Sequence, residues 1–310
     1  MSDSPLLAIL YGLALGDSIG WPVEFVSSLA EIKRRYPPNG IAQPPDPALF
    51  TDDTQMTLAL CDGLLAAGID APVEQITSAI GEHFLIWKRA QSIPSQNRAP
   101  GSTVMGALNS YVPGMNWREL GIASSKGCGA AMRVGPLGYV YQHQPERLKE
   151  IATAQAEITH RHPTALASAV AAAYAVKLAL DGTPPSQFIS NILEFVDGIS
   201  EEMDAALFRI GHVLGWVNEE DALKHIGEGW VGEEAVALAL YCVLRYPDDY
   251  AACMWRAANT SGDSDSIACI AGSILGARLG IHAIPESWIA RLERRDEIMN
   301  LAEKLTRLPE

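Results

Sequence analysis

The hydrophobic pattern along the chain is helical. Apolar residues recur three or four positions apart, so that they share one face of a helix, as in Val73, Ile76, Ile80, Phe84 and Trp87. Strand-like alternation of apolar and polar residues is scarce. The pattern therefore predicts an all-α fold in which many medium-length helices pack as one globule.

Helix-start and helix-stop residues give approximate bounds for these elements. The predicted helices cover 5–15, 52–67, 72–87, 147–158, 163–180, 185–196, 201–213, 233–245, 250–258, 264–279 and 287–305. Gly, Pro and Asn cluster at 37–47, 93–102 and 112–116, which predicts loops. None of these loops has the composition of a domain linker, so residues 1–310 are expected to form a single domain.

Composition narrows the class of protein. A chain of 310 residues that is 48% apolar is long enough for a full hydrophobic core. The formal net charge of −14 argues against binding of a nucleic-acid backbone. The five cysteines are odd in number and form no Cys-x-x-Cys pair, which favours a reduced protein of the cytoplasm.

Neither a signal peptide nor a membrane span is predicted. The N-terminus, Met1–Pro5, carries no basic residue. The apolar stretch Ala165–Leu180 is rich in alanine and is interrupted by Ser168 and Lys177, which is typical of a buried helix. We therefore expect a cytoplasmic monomer that binds no membrane.

Two acidic clusters, each at the start of a predicted helix, carry the strongest functional signal. A carboxylate at a helix N-terminus can simply offset the macrodipole. Capping uses one side chain, however, and adjacent carboxylates repel each other, so paired acids favour a metal site. Together the clusters offer the hard oxygen ligands that Mg²⁺ or Mn²⁺ prefers, from Thr51, Asp52, Asp53, Asp263, Asp265 and Ser266.

Asp17 and Glu24 lie in a glycine-containing segment after the first predicted helix. Gly16 and Gly20 are expected to break that helix and to let the backbone approach a ligand. A carboxyl group with apolar neighbours can have a raised pKa and transfer protons, which makes Glu24 a candidate acid or base. The alternative is that Glu24 is a surface residue after Pro22.

The small residues from Ser124 to Gly129 precede a helix-like segment. Their backbone N–H groups can cradle a diphosphate, although an ordinary tight turn explains the pattern equally well. Cys128 has no evident base partner, so we do not interpret it as a nucleophile. His160 precedes an Ala-rich helix. A capping or substrate-contacting role is favoured for it, because a metal site would need three or four ligands.

Taken in order, these motifs resemble those of the ADP-ribosylglycohydrolase family, the group that contains the dinitrogen reductase-activating glycohydrolases. The ordered set extends over nearly the whole chain and is specific, although no single motif is. The matching elements are Gly16-Asp17 through Glu24, Phe50-Thr-Asp-Asp-Thr-Gln-Met56, Arg98-Ala-Pro-Gly101, Gly127-Cys-Gly-Ala-Ala-Met-Arg133, Thr159-His160, Trp230 before Glu233–Leu240, and Gly262-Asp-Ser-Asp-Ser-Ile-Ala268.

The resemblance implies a single compact orthogonal multi-helix bundle with two Mg²⁺ or Mn²⁺ ions as cofactors. The ions would be held by the six oxygen-bearing residues of the two acidic clusters. Glu24 would match the family's mobile acidic residue and would act in catalysis with Asp53 and Asp265. The resemblance and the motifs above together indicate the residues expected to contact the substrate. These residues are Asp17, Ser124, Ser125, Gly127, Cys128, Gly129 and His160.

Two departures from the family pattern stand out. Ser264 and Ser266 occur where the family commonly has threonine, and serine keeps the hydroxyl ligand. Cys128 stands where many members carry asparagine, which changes one polar contact to the substrate.

The implied activity is hydrolysis of the glycosidic bond between ADP-ribose and a modified acceptor, expected to be a protein, with an arginine linkage as first choice. A catalytically silent ADP-ribose-binding protein is one alternative, but all six ligand positions are intact. A Mg²⁺-dependent phosphohydrolase or prenyl-diphosphate enzyme is another. The latter would require a DDxxD motif, whereas Asp52-Asp53 is followed by Thr54-Gln55-Met56.

Overall fold

The structure is a computed structural model that describes residues 4–308. Within that range the regular elements are α-helices and short 3₁₀ turns, and β-pairing is limited to three isolated bridges. This confirms the predicted all-α class. The helices are α1 (Pro5–Gly20), α2 (Leu29–Arg35), α3 (Asp52–Ala67), α4 (Val73–Ala90), α5 (Ser102–Asn109), α6 (Gly135–Val140), α7 (Pro145–Glu157), α8 (Pro163–Leu180), α9 (Phe188–Val196), α10 (Glu201–Val213), α11 (Glu219–Ile226), α12 (Gly232–Arg245), α13 (Tyr250–Ala258), α14 (Ser264–Leu279), α15 (Glu286–Ile289) and α16 (Arg295–Thr306).

The observed bounds differ from the predicted ones in a few places. The helix α1 continues to Gly20, beyond its predicted end at Leu15, and the helix predicted over 287–305 is divided into α15 and α16. No bounds were predicted for the helices α2, α5, α6 and α11. Each has eight residues or fewer, which is too short for a periodic pattern to become visible.

At the centre of the fold, α1 and α14 pack backbone against backbone. A Cβ atom on Gly12 would lie 2.3 Å from the carbonyl oxygen of Gly272, and one on Gly16 would lie 2.1 Å from that of Ala268. Only glycine permits such an approach. The prediction that Gly16 and Gly20 break the first helix and face a ligand was therefore wrong, because both lie within α1 and face α14.

Two segments, 5–23 and α8, are long and apolar enough to cross a membrane by length and composition alone. In the fold, 89% and 72% of their most apolar windows are buried. The helix α8 packs against α7, α12 and α14, as expected for the buried helix predicted over 165–180. Burial inside the core accounts for the apolar composition of both segments.

Candidate active site

Five carboxyl groups converge where three helices meet, and we call them the carboxylate cluster. Asp52 and Asp53 begin α3, Asp263 and Asp265 lie at the start of α14, and Glu24 follows a 3₁₀ turn that continues α1. All five are at most 8% exposed and line one cavity of about 440 Å³. The fold thus joins two acidic segments that are far apart in the sequence.

The oxygen atoms of the carboxylate cluster lie close enough to share a cation. One carboxylate oxygen each from Glu24, Asp263 and Asp265 lies within 4.8 Å of the other two. In addition, Oε2 of Glu24 and Oδ2 of Asp53 are buried and have no hydrogen-bond partner. A buried carboxylate oxygen without a partner is costly unless a proton or a cation compensates it.

Burial raises the pKa of every carboxyl group in the cluster. For Glu24, burial and the charges of Asp263 and Asp52 raise the pKa to about 8. Burial also raises the pKa of Asp52 to about 8. The pKa values of Asp53 and Asp265 lie well above the usual range because burial is reinforced by neighbouring negative charges. Five such groups cannot all ionise without a counter-charge.

The residues present fit hard divalent cations. The cluster supplies only oxygen donors, it is buried, and two of its oxygen atoms lack partners. Within residues 4–308, it contains the only group of three or more His, Cys, Asp or Glu side chains whose ligand atoms converge in this way. Carboxylate oxygens suit Mg²⁺ or Mn²⁺ rather than softer metals.

Asp17 lies behind the carboxylate cluster rather than at the cavity surface. It is fully buried and accepts hydrogen bonds from the backbone N–H groups of Thr51 and Thr54, each at 3.0 Å. The hydroxyls of the same residues donate to it at 2.9 and 2.5 Å. Asp17 therefore ties the first turn of α3 to α1. The structure does not place it among the residues that line the cavity, contrary to the predicted substrate contact.

The two hydroxyl groups predicted as metal ligands differ in their surroundings. Thr51 Oγ1 donates to Asp17 and accepts from the N–H of Asp53 at 3.3 Å, which leaves it one lone pair. Ser266 lies in the first turn of α14 and lines the cavity directly. Each hydroxyl keeps the capacity to accept a cation, and both ligand assignments stay predictions.

Hydrogen bonds and an ion pair that were not predicted from the sequence fix the start of α3. The N–H of Gly101 donates to Oδ2 of Asp52 at 3.0 Å and orients that carboxylate. Arg98 forms a largely buried ion pair with Glu293, which also accepts from the N–H of Phe50 at 2.8 Å. Arg98 and Gly101 belong to a recognised motif, whereas Glu293 lies far along the chain with no motif around it.

The predicted substrate contacts other than Asp17 divide into two groups. The hydroxyl of Ser125 is hydrogen-bonded to that of Thr103 at 3.0 Å, and Ser124 is exposed to solvent. Neither serine lines the cavity, so the structure does not support them as direct contacts. The cavity is lined by the remaining four, Gly127, Cys128, Gly129 and His160.

Cys128 borders the carboxylate cluster. Its thiol donates to Oδ2 of Asp263 at 2.8 Å and lies 3.6 Å from the hydroxyl of Ser266. Burial and the charge of Asp263 raise the pKa of this thiol well above its usual range. Cys128 therefore remains a thiol rather than a reactive thiolate, which agrees with the interpretation that it is not a nucleophile.

Two aromatic rings form the rim of the cavity. Phe25 is 72% exposed and Trp230 is 41% exposed, and both line the opening. Their ring centroids lie 6.0 Å apart with the planes inclined by 18°. Trp230 belongs to the matched motif before Glu233–Leu240, and the structure places it at the cavity opening rather than in the core. Phe25 was missed, although its position directly after Glu24 was an available signal.

Known proteins resemble the chain over its whole length. The family model for ADP-ribosylglycohydrolase matches residues 3–310. The ADP-ribosyl-[dinitrogen reductase] glycohydrolase of Rhodospirillum rubrum is 27% identical, over 94% of this chain and 91% of that protein. The ADP-ribosylarginine hydrolase Tri1 of Serratia proteamaculans is 27% identical, over 96% and 77%. A solved structure described as an ADP-ribosylglycohydrolase-related protein complex has a TM-score of 0.76 and 26% identity, over 99% and 98% of the two chains. The chain therefore belongs to the ADP-ribosylglycohydrolase family and is a glycohydrolase enzyme.

Proposed function

We propose that this enzyme releases ADP-ribose from a mono-ADP-ribosylated protein by hydrolysing the glycosidic bond to an arginine side chain. The observation that carries the proposal is the convergence of five buried carboxyl groups in a cavity whose rim is aromatic. The names of two relatives, an ADP-ribosyl-[dinitrogen reductase] glycohydrolase and an ADP-ribosylarginine hydrolase, support the substrate class.

Two Mg²⁺ or Mn²⁺ ions are part of the proposal. They would be held by the carboxylates of Asp52, Asp53, Asp263 and Asp265 and by the hydroxyls of Thr51 and Ser266. Ions bound there supply positive charge that binds ribose hydroxyls and lowers the pKa of a water. Their positive charge would also compensate the repulsion that raises the carboxyl pKa values in the cluster.

Glu24 is the proposed proton carrier. Glycosidic bonds break through a transition state with oxocarbenium character, so the leaving nitrogen gains a proton while the attacking water loses one. Glu24 lines the cavity beside Asp263 and Asp265, and burial with neighbouring charges raises its pKa to about 8. A carboxyl group at this position can donate a proton to the leaving nitrogen and accept one from the attacking water.

The aromatic rim favours an arginine acceptor. Phe25 lines the same cavity as Glu24 and exposes its ring at the opening, where an acceptor side chain that reaches Glu24 can contact it. A planar guanidinium group stacks well on an aromatic face. Trp230 extends the same rim with its ring nearly parallel to that of Phe25.

The diphosphate would lie against the uncharged part of the cavity. Gly127 and Gly129 bring bare backbone to the surface there, and His160 lies beside them. The net charge of −14 gives no general attraction for phosphate, so local N–H donors are the groups available to bind it.

A panel of defined mono-ADP-ribosylated substrates tests the proposal. Arginine-linked, serine-linked and nucleobase-linked substrates are each incubated with Mg²⁺, with Mn²⁺ and with EDTA, and the products are separated by chromatography. We expect free ADP-ribose from the arginine-linked substrate, and only when metal is present. AMP as the main product would contradict a glycohydrolase. Turnover confined to another linkage would contradict the arginine acceptor, and binding of ADP-ribose without any turnover would indicate a silent binder.

The role of the rim is tested with one matched pair of variants. Phe25→Ala removes a ring at the cavity, whereas Phe208→Ala removes a ring that is 65% exposed and lies outside the cavity lining. Because cation–π contacts contribute about 0.5–2 kcal/mol, Phe25→Ala should raise KM for the arginine-linked substrate by about two- to thirtyfold. The Phe208→Ala variant should match the wild type. Equal KM values for both variants would remove the rim from the proposal.

A further inference from the structure

His160 is connected to a fully buried arginine through one hydroxyl. Arg133 is 0% exposed, and its guanidinium lies over the Phe84 ring at 4.5 Å. Its Nη2 atom donates to Oγ1 of Thr159 at 2.9 Å. The same Oγ1 atom lies 2.8 Å from Nδ1 of His160. The three polar groups therefore form a continuous hydrogen-bonded chain that ends at the imidazole.

The direction of each hydrogen bond in this chain follows from the number of available protons. Arginine has no acceptor, so Thr159 Oγ1 must accept from Arg133. The single hydroxyl proton of Thr159 then has two acceptors within reach, Nδ1 of His160 at 2.8 Å and the carbonyl oxygen of Ala156 at 3.5 Å. That carbonyl already accepts from the N–H groups of Thr159 at 3.0 Å and His160 at 2.8 Å. Both of its lone pairs are used, so the hydroxyl donates to Nδ1.

An Nδ1 atom that accepts a hydrogen bond carries no proton, which places the ring proton on Nε2. Within residues 4–308, Nε2 forms no hydrogen bond with another protein group, and His160 lines the cavity. Two glycines leave open space in front of the His160 imidazole ring. A Cβ atom on Gly127 would lie 3.3 Å from Nε2, and one on Gly129 would lie 3.1 Å from Cε1.

We infer that Arg133 and Thr159 are positioning residues that hold His160 as a neutral imidazole whose Nε2–H group points to the ligand. The identity of the acceptor, a phosphate oxygen of ADP-ribose, rests on the proposed function. The protonation state does not, because it follows from contacts inside the protein.

The electrostatic environment agrees with a neutral ring. Burial, together with the positive charge of Arg133, lowers the pKa of His160 to about 3. An imidazolium ion would be buried beside a second cation, whereas a neutral Nε2–H group keeps a donor at the cavity without that repulsion. The phosphate would then be bound by a directed hydrogen bond rather than by a histidine cation.

Nitrogen NMR of the full-length protein tests the protonation state directly. The histidines are labelled with ¹⁵N, two-bond ¹H–¹⁵N spectra are recorded at neutral pH without ligand, and the His160 signals are assigned by their loss in His160→Gln. We expect a protonated Nε2 and an unprotonated Nδ1 in a single tautomer. A protonated Nδ1, an imidazolium pattern or an even mixture of tautomers would overturn the inference.

Three threonine variants separate positioning from simple stabilisation. Thr159→Val removes the hydroxyl with little change in volume and should give mixed tautomers and severalfold weaker ADP-ribose binding. Thr159→Ser restores the hydroxyl and should restore both. Thr77→Val is the matched control, since its buried hydroxyl donates to the Val73 carbonyl at 2.7 Å in α4, outside the cavity lining. It should leave tautomer and affinity unchanged.

The outcomes distinguish this inference from the proposed function. If the wild type binds no ADP-ribose, the proposed function fails, while the tautomer in the ligand-free spectrum still decides the inference. If the wild type binds ADP-ribose and Thr159→Val binds it equally with the same single tautomer, the inference is wrong. If Thr159→Val does not fold, the wild-type spectrum alone decides.

Discussion

Replacing Gly20 by alanine is expected to displace the backbone of Asp265 and so to disturb the carboxylate cluster. Gly20 has φ −76° and ψ −38°, a right-handed helical conformation that alanine adopts without strain. Any loss of stability in Gly20→Ala is therefore steric. The added Cβ atom would lie 2.4 Å from Cα of Asp265, 2.5 Å from its N atom and 2.5 Å from the carbonyl oxygen of Ser264.

The magnitude follows from these distances. Real Cβ contacts are essentially never under 3.0 Å, so the backbone at Asp265 must retreat from 2.4 Å to at least 3.0 Å, a displacement of at least 0.6 Å. Overpacking of this kind destabilises a fold by about 1–3 kcal/mol. Metal–ligand distances tolerate only about 0.2 Å, so Mg²⁺ or Mn²⁺ affinity should also fall, by about 10–100-fold as for other changes that reorient ligands.

The assay is a pair of titrations on Gly20→Ala and on a control, Gly211→Ala. Gly211 lies in α10, and a Cβ atom there would meet nothing within 4 Å. Alanine at such a position should stabilise the helix by up to about 1 kcal/mol. Chemical denaturation measures the free energy of unfolding, and calorimetry measures Mn²⁺ affinity. Wild-type values of both quantities in Gly20→Ala would refute the argument that bare glycine sets the spacing at the site.

Three further predictions concern the carboxylate cluster. In metal-free protein, the raised pKa values of Glu24 and Asp52, each about 8, mean that the folded state binds protons that the unfolded chain has already released. The free energy of unfolding should then fall as pH rises from about 5 to 8, and millimolar Mg²⁺ should offset the loss; denaturation curves that are flat with pH in EDTA would contradict this. Glu24→Gln should lower kcat by about 10²–10⁴ with ADP-ribose still bound, whereas loss of binding with normal turnover would reassign Glu24 to ligand recognition. Asp52→Asn and Asp265→Asn should abolish hydrolysis while helical circular dichroism stays near that of the wild type, and full turnover in both would show that the site is misassigned.

Local interactions account for the features that were predictable from the sequence alone. Helix periodicity depends on residues three and four apart, and helix starts depend on caps within one turn, so both are visible in a short window. The acidic pairs at 52–53 and 263–265 were recognisable for the same reason, since each stands at the start of a helix. Their chemistry, hard oxygen ligands, follows from residue type alone.

The way in which these segments face one another depends on tertiary contacts. Gly20 is a helix-packing residue because its neighbour is Asp265, and Asp17 is a support for α3 because its partners are Thr51 and Thr54. Glu293 braces the same region from near the end of the chain. Each of these roles depends on a contact between residues distant in sequence, and no local pattern encodes the partner of such a contact.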